Sequence, residues 1–209
     1  FTNSNLILIF LISPLIFIIF YVINLLIVIV LGKIFYKILQ FKKPIKEGNF
    51  IWENKNYDYN LYFRRSFLLR YIKWKIQKSP FPWLLKFAFN FIGNCAIGNN
   101  TIIENTYLAK ELLQIGKNSY IGKALITNHL WDTSLMIKKI KIDDNVVISD
   151  CCCISPGTAI GRNTNLLPLS VTAKNDVIPP NSFFFNTPLK IISKQELIKV
   201  FNFENLDFE

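Results

Sequence analysis

Residues Ile142–Ser170 read IDDNVV, ISDCCC, ISPGTA, IGRNTN, LLPLS. An aliphatic residue returns every six positions, at Ile142, Ile148, Ile154, Ile160 and Leu166. Four residues after each stands a small or β-branched one: Val146, Cys152, Thr158, Thr164 and Ser170. A period of six fits neither a 3.6-residue helix nor a two-residue strand alternation. It fits a coil of short parallel strands with a corner every six residues. The aliphatic side chain fills the corner from inside, and the small one fits the narrow interior. Asp143, Ser149, Ser155 and Gly161, one position after the aliphatic residue, are expected to supply the turn.

Upstream the same period is weaker. IGNNTI, IENTYL, AKELLQ, IGKNSY and IGKALI set expected corners at Ile97, Ile103, Ala109, Ile115 and Ile121, with Gly98, Gly116 and Gly122 at the turn position. Tyr107, Leu113 and Leu125 are large for the inward slot, and AKELLQ is expected to bulge outward. Between Ile121 and Ile142 the phase breaks over TNHLWDTSLMIKKIK, so an excursion leaves the coil between about Thr127 and Lys141. Downstream, Val177–Ser182 closes the last coil, and a short helix over 193–205 is expected to cap the open end.

The N-terminal part is of another kind. Residues 6–31 carry no charge, long enough for one tilted membrane span. A removable signal peptide would have a much shorter apolar core and a small-residue cleavage site. The chain begins at Phe1 rather than Met, as expected of a processed product or a fragment. Residues 33–90 hold 13 Lys or Arg against three acids, whereas 91–209 hold 11 of each. The formal excess of +10 thus follows the apolar run directly. That placement fits an anionic cytoplasmic leaflet and puts the downstream part on the cytoplasmic side. Nucleic-acid binding would put the charge on the folded domain and is not expected. Residues 61–78, LYFRRSFLLRYIKWKIQK, read as a basic amphipathic helix lying in the membrane interface. After the Ser79–Pro82 break, WLLKFAFNFI (83–92) reads as a second short apolar helix. The expected organisation is a span with its basic flank (1–45), an interfacial segment (46–90), a mainly β, coiled parallel-strand domain (91–190) and a C-terminal cap (191–209).

Loops that leave a rigid scaffold commonly carry function. His129, the single histidine, opens the excursion. A neutral imidazole suits proton abstraction from an attacking hydroxyl or amine, and a structural His is the alternative. Asp132 is expected to orient His129 or to touch a neighbouring subunit. Asn128 and Trp131 are candidate substrate contacts. One His, with Cys95 and the adjacent Cys151, Cys152 and Cys153, offers no metal-ligand spacing, so no metal is expected. The cysteines read as reduced packing residues. No phosphate-cradling glycine loop and no Gly-x-Ser-x-Gly elbow occurs.

The hexapeptide run with its excursion, ending in PPNSFFFNTPLKII, resembles the left-handed β-helix (hexapeptide-repeat) acyltransferase superfamily. In that superfamily the last coil often ends in Pro-Pro, then Gly-Asn-Pro-Ala-Lys. This chain matches at Pro179, Pro180, Pro188 and Lys190 and departs at Asn186 and Thr187. Residues 60–191 are also similar, in the order of their parts, to the membrane-bound terminal modules of ε-poly-lysine-synthase-like nonribosomal peptide synthetases. The resemblance implies an acyl donor on a phosphopantetheine arm, acetyl-CoA or another acyl-CoA, and a homotrimer. It implies transfer of the acyl group to a small-molecule or peptide hydroxyl or amine. Ser155, Gly157, Lys174 and Lys190 are the candidate donor contacts. The expectation is therefore a membrane-anchored acyltransferase with His129 as general base. The alternative is a non-enzymatic membrane scaffold descended from one, consistent with the irregular early coils.

Overall fold

The computed structural model describes residues 3–42, 45–51, 57–185, 190–193 and 196. Helix α1 (Asn3–Lys42) is followed by a strand at Gly48–Ile51, then by α2 (Tyr57–Gln77) and α3 (Leu84–Ile92), and then by short strands to Ile192. Within Phe10–Phe41 of α1, an 18-residue stretch has mean hydropathy 3.1 and is only 17% buried, so its Ile, Leu and Phe side chains stand largely open. Pro14 cannot donate to the carbonyl of Phe10, and the Ser13 hydroxyl donates to that oxygen instead, at 3.0 Å. The helix therefore runs on through the proline.

The strands after α3 wind into a triangular prism. On one face Cys95–Ile97, Leu113–Ile115, Ile140–Ile142, Ala159–Ile160 and Val177–Ile178 stack in parallel. On the next face Ile102–Ile103, Tyr120–Ile121, Val147–Ile148, Asn165–Leu166 and Phe183–Phe185 stack likewise. The third holds Leu125–Ile126 against Cys153–Ile154, extended by bridges from Tyr107 to Leu125 and from Cys153 to Val171. Stacked partners are 18 residues apart, except across the excursion, where Ile115 to Ile142 and Ile121 to Ile148 span 27 and Ile126 to Ile154 spans 28. One triangular coil is thus three hexapeptides, and the excursion adds nine residues to one coil.

The inward slots are as the period implies. Val146, Cys152, Thr158, Thr164 and Ser170 are all buried, beneath Ile142, Ile148, Ile154, Ile160 and Leu166. Two expectations are corrected. First, the left-handed corner lies three residues after the aliphatic residue, not one. Asn100, Asn118, Asn145, Asn163 and Asn181 all have φ between 52° and 56°. Their side chains form a ladder, Asn100 to Asn118 at 3.2 Å, Asn145 to Asn163 at 3.0 Å and Asn163 to Asn181 at 2.9 Å. Asn tolerates this backbone because its short amide bonds locally. The glycines one position after the aliphatic residue answer to stacking. A Cβ on Gly98 would lie 2.5 Å from the Gly116 carbonyl of the next coil, and one on Gly116 would meet the Asp143 backbone as closely.

Second, the third side of the early coils is one residue short. Leu108, not Ala109, lies opposite Ile126, and Thr106 and Ala124 occupy the inward slots. Tyr107 and Leu125 consequently point outward, which removes the crowding expected of them. The segment AKELLQ turns inward: Ala109, Lys110, Glu111 and Leu113 are buried, and Leu112 takes a left-handed φ of 54° to make that turn.

The start of the prism is closed by helices. Leu84, Leu85, Ala88, Phe89 and Ile92 of α3 are buried on it, and Gly93 ends the helix in a left-handed conformation with its N–H on the Phe89 carbonyl. Asn90 bonds both backbone groups of Ile97, its amide to the carbonyl and its own oxygen from the N–H, each at 2.8 Å. It thereby covers part of an open sheet edge. Leu69, Ile72 and Ile76 of α2 meet Leu25, Ile29 and Tyr36 of α1, and Gly32 leaves room for the Ile72 side chain. The outer side of α2 exposes Phe63, Phe67, Tyr71 and Trp74. At the far end Lys190–Ile192 pairs antiparallel with Phe183–Phe185, a strand the sequence did not suggest. Asn186, Thr187, Pro188 and most of 193–205 lie outside the described residues.

Candidate active site

The excursion is a β-hairpin. His129–Trp131 pairs antiparallel with Ser134–Ile137, and Gly48–Ile51, just beyond α1, adds a third strand. Leu135 and Ile137 pack with Tyr62 of α2 and with Phe50, so the hairpin is held between the prism and the helical layer.

His129 is half-buried where the hairpin leaves Ile126. Its Nδ1 lies 3.2 Å from Thr127 Oγ1 and 3.5 Å from Asn128 Oδ1. The Thr127 hydroxyl proton goes to the His129 carbonyl at 2.8 Å. Both neighbours of Nδ1 then act as acceptors, which assigns the proton to Nδ1 and leaves Nε2 basic. Burial, with the positive charges of Lys110 and Arg70, holds the imidazole below its ordinary range, so it is neutral at pH 7. The Tyr62 ring lies 5.7 Å from the imidazole, and the Tyr62 hydroxyl donates to Asn128 Oδ1 at 3.5 Å. Asn128 is buried and its Nδ2 has no partner among the described residues.

Asp132 does not orient His129. It is exposed and pairs with Lys174 Nζ at 2.7 Å, and that ammonium holds its carboxyl below the usual carboxylate range. Trp131 is exposed on the same strand. Lys138, on the other side of the hairpin, donates to Asn175 Oδ1 at 2.7 Å, and Gly157, with φ of 81°, sits against both. Ser155 bonds Thr172 twice, donating from Oγ to its carbonyl at 2.7 Å and from N to its hydroxyl at 2.8 Å. The hairpin therefore lies along the edge that carries Ser155, Gly157 and Lys174. Lys190 is exposed on another face, paired in register with Phe185.

Sequence reasoning missed the ionic group behind His129. Arg65 Nε pairs with Glu111 Oε1 at 2.9 Å, and both side chains are buried. Lys110 Nζ donates to Ser66 Oγ at 2.6 Å, and Lys73 Nζ stands 4.8 Å from the Tyr107 ring centroid. Burial and like charge lower both lysine amines to about 8. A signal existed: Arg65, Ser66, Leu69, Ile72, Lys73 and Ile76 recur with a helical period, so two of the cations fall on the apolar face.

No family model and no curated protein matches this sequence. Several solved structures are similar. A hexapeptide-repeat-containing acetyltransferase from Vibrio cholerae matches with TM-score 0.52 at 21% identity, over 60% of this chain and 87% of that one. A maltose O-acetyltransferase from Clostridium difficile matches with TM-score 0.54 at 15% identity, over 72% and 94%. A galactoside acetyltransferase in complex with coenzyme A matches with TM-score 0.53 at 17% identity, over 75% and 92%. The prism, its 18-residue coils and these likenesses together give this chain the fold of the hexapeptide-repeat acetyltransferases, a left-handed parallel β-helix.

Proposed function

We propose that this protein is a membrane-anchored acyltransferase that moves an acyl group from a coenzyme A thioester to a hydroxyl or amine. The observation that carries the reading is His129: a half-buried, neutral imidazole with its proton on Nδ1, where a hairpin leaves the β-helix. In this reading Nε2 takes the proton of the acceptor as it attacks the thioester carbonyl. Backbone N–H groups along the coil stabilise the oxyanion. The proton then passes to the departing thiolate, which leaves as the thiol. Thr127 and Asn128 hold the tautomer, and Tyr62 walls the imidazole. The coenzyme A complex of the galactoside acetyltransferase is the ground for the donor, with Ser155, Gly157 and Lys174 along the hairpin's edge as its contacts. Lys190 is the weakest of these contacts, being on another face.

The anchor is α1, supported by the open apolar surface of Phe10–Phe41 and by the lysines that follow it. The exposed Phe67, Tyr71 and Trp74 on α2 and Trp83 before α3 suit the headgroup layer. A cytoplasmic β-helix belongs to the same reading, supported by the basic flank that follows the apolar run. A homotrimer belongs to the same proposal, on the likeness alone. The narrower similarity to membrane-bound poly-lysine-synthase modules favours an amine among the acceptors, supported only by the order of span, basic helix and β-helix.

The test is release of coenzyme A from acetyl-CoA by the full chain in lipid nanodiscs, across a panel of amine and hydroxyl acceptors. His129→Ala is expected to lower the rate by about 10²–10⁴-fold while the thermal transition stays in place. Full activity in the folded variant would end the general-base assignment.

A further inference from the structure

Cations outnumber carboxylates beside His129, where Arg65, Arg70, Lys73 and Lys110 share the one buried carboxylate of Glu111. Lys73 and Lys110 are 7% and 5% exposed. Glu111, the carboxylate buried with them, already holds Arg65 at 2.9 Å. Lys110 is bonded to the neutral Ser66, and Lys73 faces only the Tyr107 ring among the described residues. Arg70 stands one helical turn beyond Ser66 on α2, and Lys73 the next turn on. Tyr62, Ser66, Arg70 and Lys73 thus run down one side of α2 from His129, with Lys110 against Ser66. Asn128, 2% exposed, adds a buried amide Nδ2 with no partner at the His129 end. Buried cations without counter-charge oppose folding, and an orphaned buried donor does the same. An oxyanion among the cations would relieve the first, and a polar ligand reaching Asn128 would relieve the second.

We propose that Arg70, Lys73 and Lys110, with Ser66, form a subsite for a phosphate group carried by the acceptor, whose other end passes the Asn128 amide and delivers its nucleophile to His129. Calling the ligand the acceptor rests on the transferase reading above; binding of the anion does not. Beside this cationic side, across the exposed Arg70, α2 exposes Phe67, Tyr71 and Trp74. An acceptor held by the phosphate of a lipid headgroup would therefore meet the subsite at the bilayer surface. A soluble phosphomonoester offers the same chemistry.

The single histidine makes the test specific. The full chain, with labelled His, is placed in phosphatidylcholine nanodiscs and the imidazole is titrated by NMR. Lys110 and Arg70 depress its protonation, so an anion among them raises the midpoint, by on the order of one pH unit. A rise with inorganic phosphate and with phosphatidate-doped nanodiscs supports the subsite. A rise with phosphatidate alone supports it and makes the headgroup the source; a rise with phosphate alone supports it and makes the source soluble. Arg70→Gln, at an exposed position, and Lys110→Met are expected to shrink or abolish the response. No rise with either probe, or an undiminished rise in both variants, would overturn the proposal. A rise with coenzyme A and with neither probe would overturn it too, by giving the cations to the donor. His129→Ala activity is independent of these outcomes, so the two readings fail separately.

Discussion

Cys151 and Leu169 sit in left-handed corners, with φ of 59° and 65°, one side after the corners that carry Asn145 and Asn163. A Cβ crowds the following carbonyl in that conformation, at about 1–2 kcal/mol for an ordinary residue. Cys151 is exposed and makes no disulfide. Cys151→Gly is therefore expected to raise stability by up to about 1 kcal/mol. Asn163→Ala removes two rungs of the amide ladder and is expected to lower it by about 1–2 kcal/mol. Thermal unfolding of the two variants against the parent checks both signs. Gly116→Ala is a harsher change, because its Cβ would lie 2.5 Å from the Asp143 backbone. Loss of more than about 2 kcal/mol is expected there. The aliphatic and small positions of the period were legible in the sequence because each repeats one packing demand. The Asn corner was not, because the eye goes to glycine, and here glycine marks close stacking.

Among elements, α2 departs furthest from its sequence reading. Phe67, Leu68, Tyr71 and Ile72 look like one apolar stripe, yet Phe67 and Tyr71 are exposed while Ile72 is buried. The helix is apolar on two sides, one against α1 and the prism and one open. Its inward Arg65 and Lys73 meet Lys110 and Glu111 from AKELLQ, a segment whose charges read as solvated until its partner helix is known. Asp132 and Lys174 are 42 residues apart, and nothing local connects them. The pair is exposed and screened by solvent, so Asp132→Asn is expected to leave the His129 titration unchanged. The hairpin is supported from a distance as well, because Phe50 packs on Tyr62, Leu135 and Ile137. Phe50→Ala is expected to speed hydrogen exchange at His129–Trp131 and to leave the coils at Ile142–Leu166 protected.

For the whole molecule, the buried lysines set an unusual dependence on pH. Lys73 and Lys110 titrate near 8 in the folded chain against an ordinary 10.5. Between those values the unfolded chain binds more protons, so stability rises as pH increases through that window. From about pH 9 the Cys95 and Cys152 thiols oppose the trend, and above about 10 the Tyr62 hydroxyl does too, because burial raises each in the folded state. A thermal transition that climbs between about pH 7.5 and 9 and then levels is expected, and the climb is expected to flatten in Lys73→Met/Lys110→Met. The coil architecture was plain from the period of six. The site was only half visible, because His129 stands in the sequence and the cations around it come together only when α2 packs on the first coil. The scaffold and enzyme readings part most directly on one measurement, calorimetric titration of the full chain in nanodiscs with acetyl-CoA. Saturable binding is the predicted result. No heat of binding at any concentration, from a folded protein, would contradict the acyltransferase account.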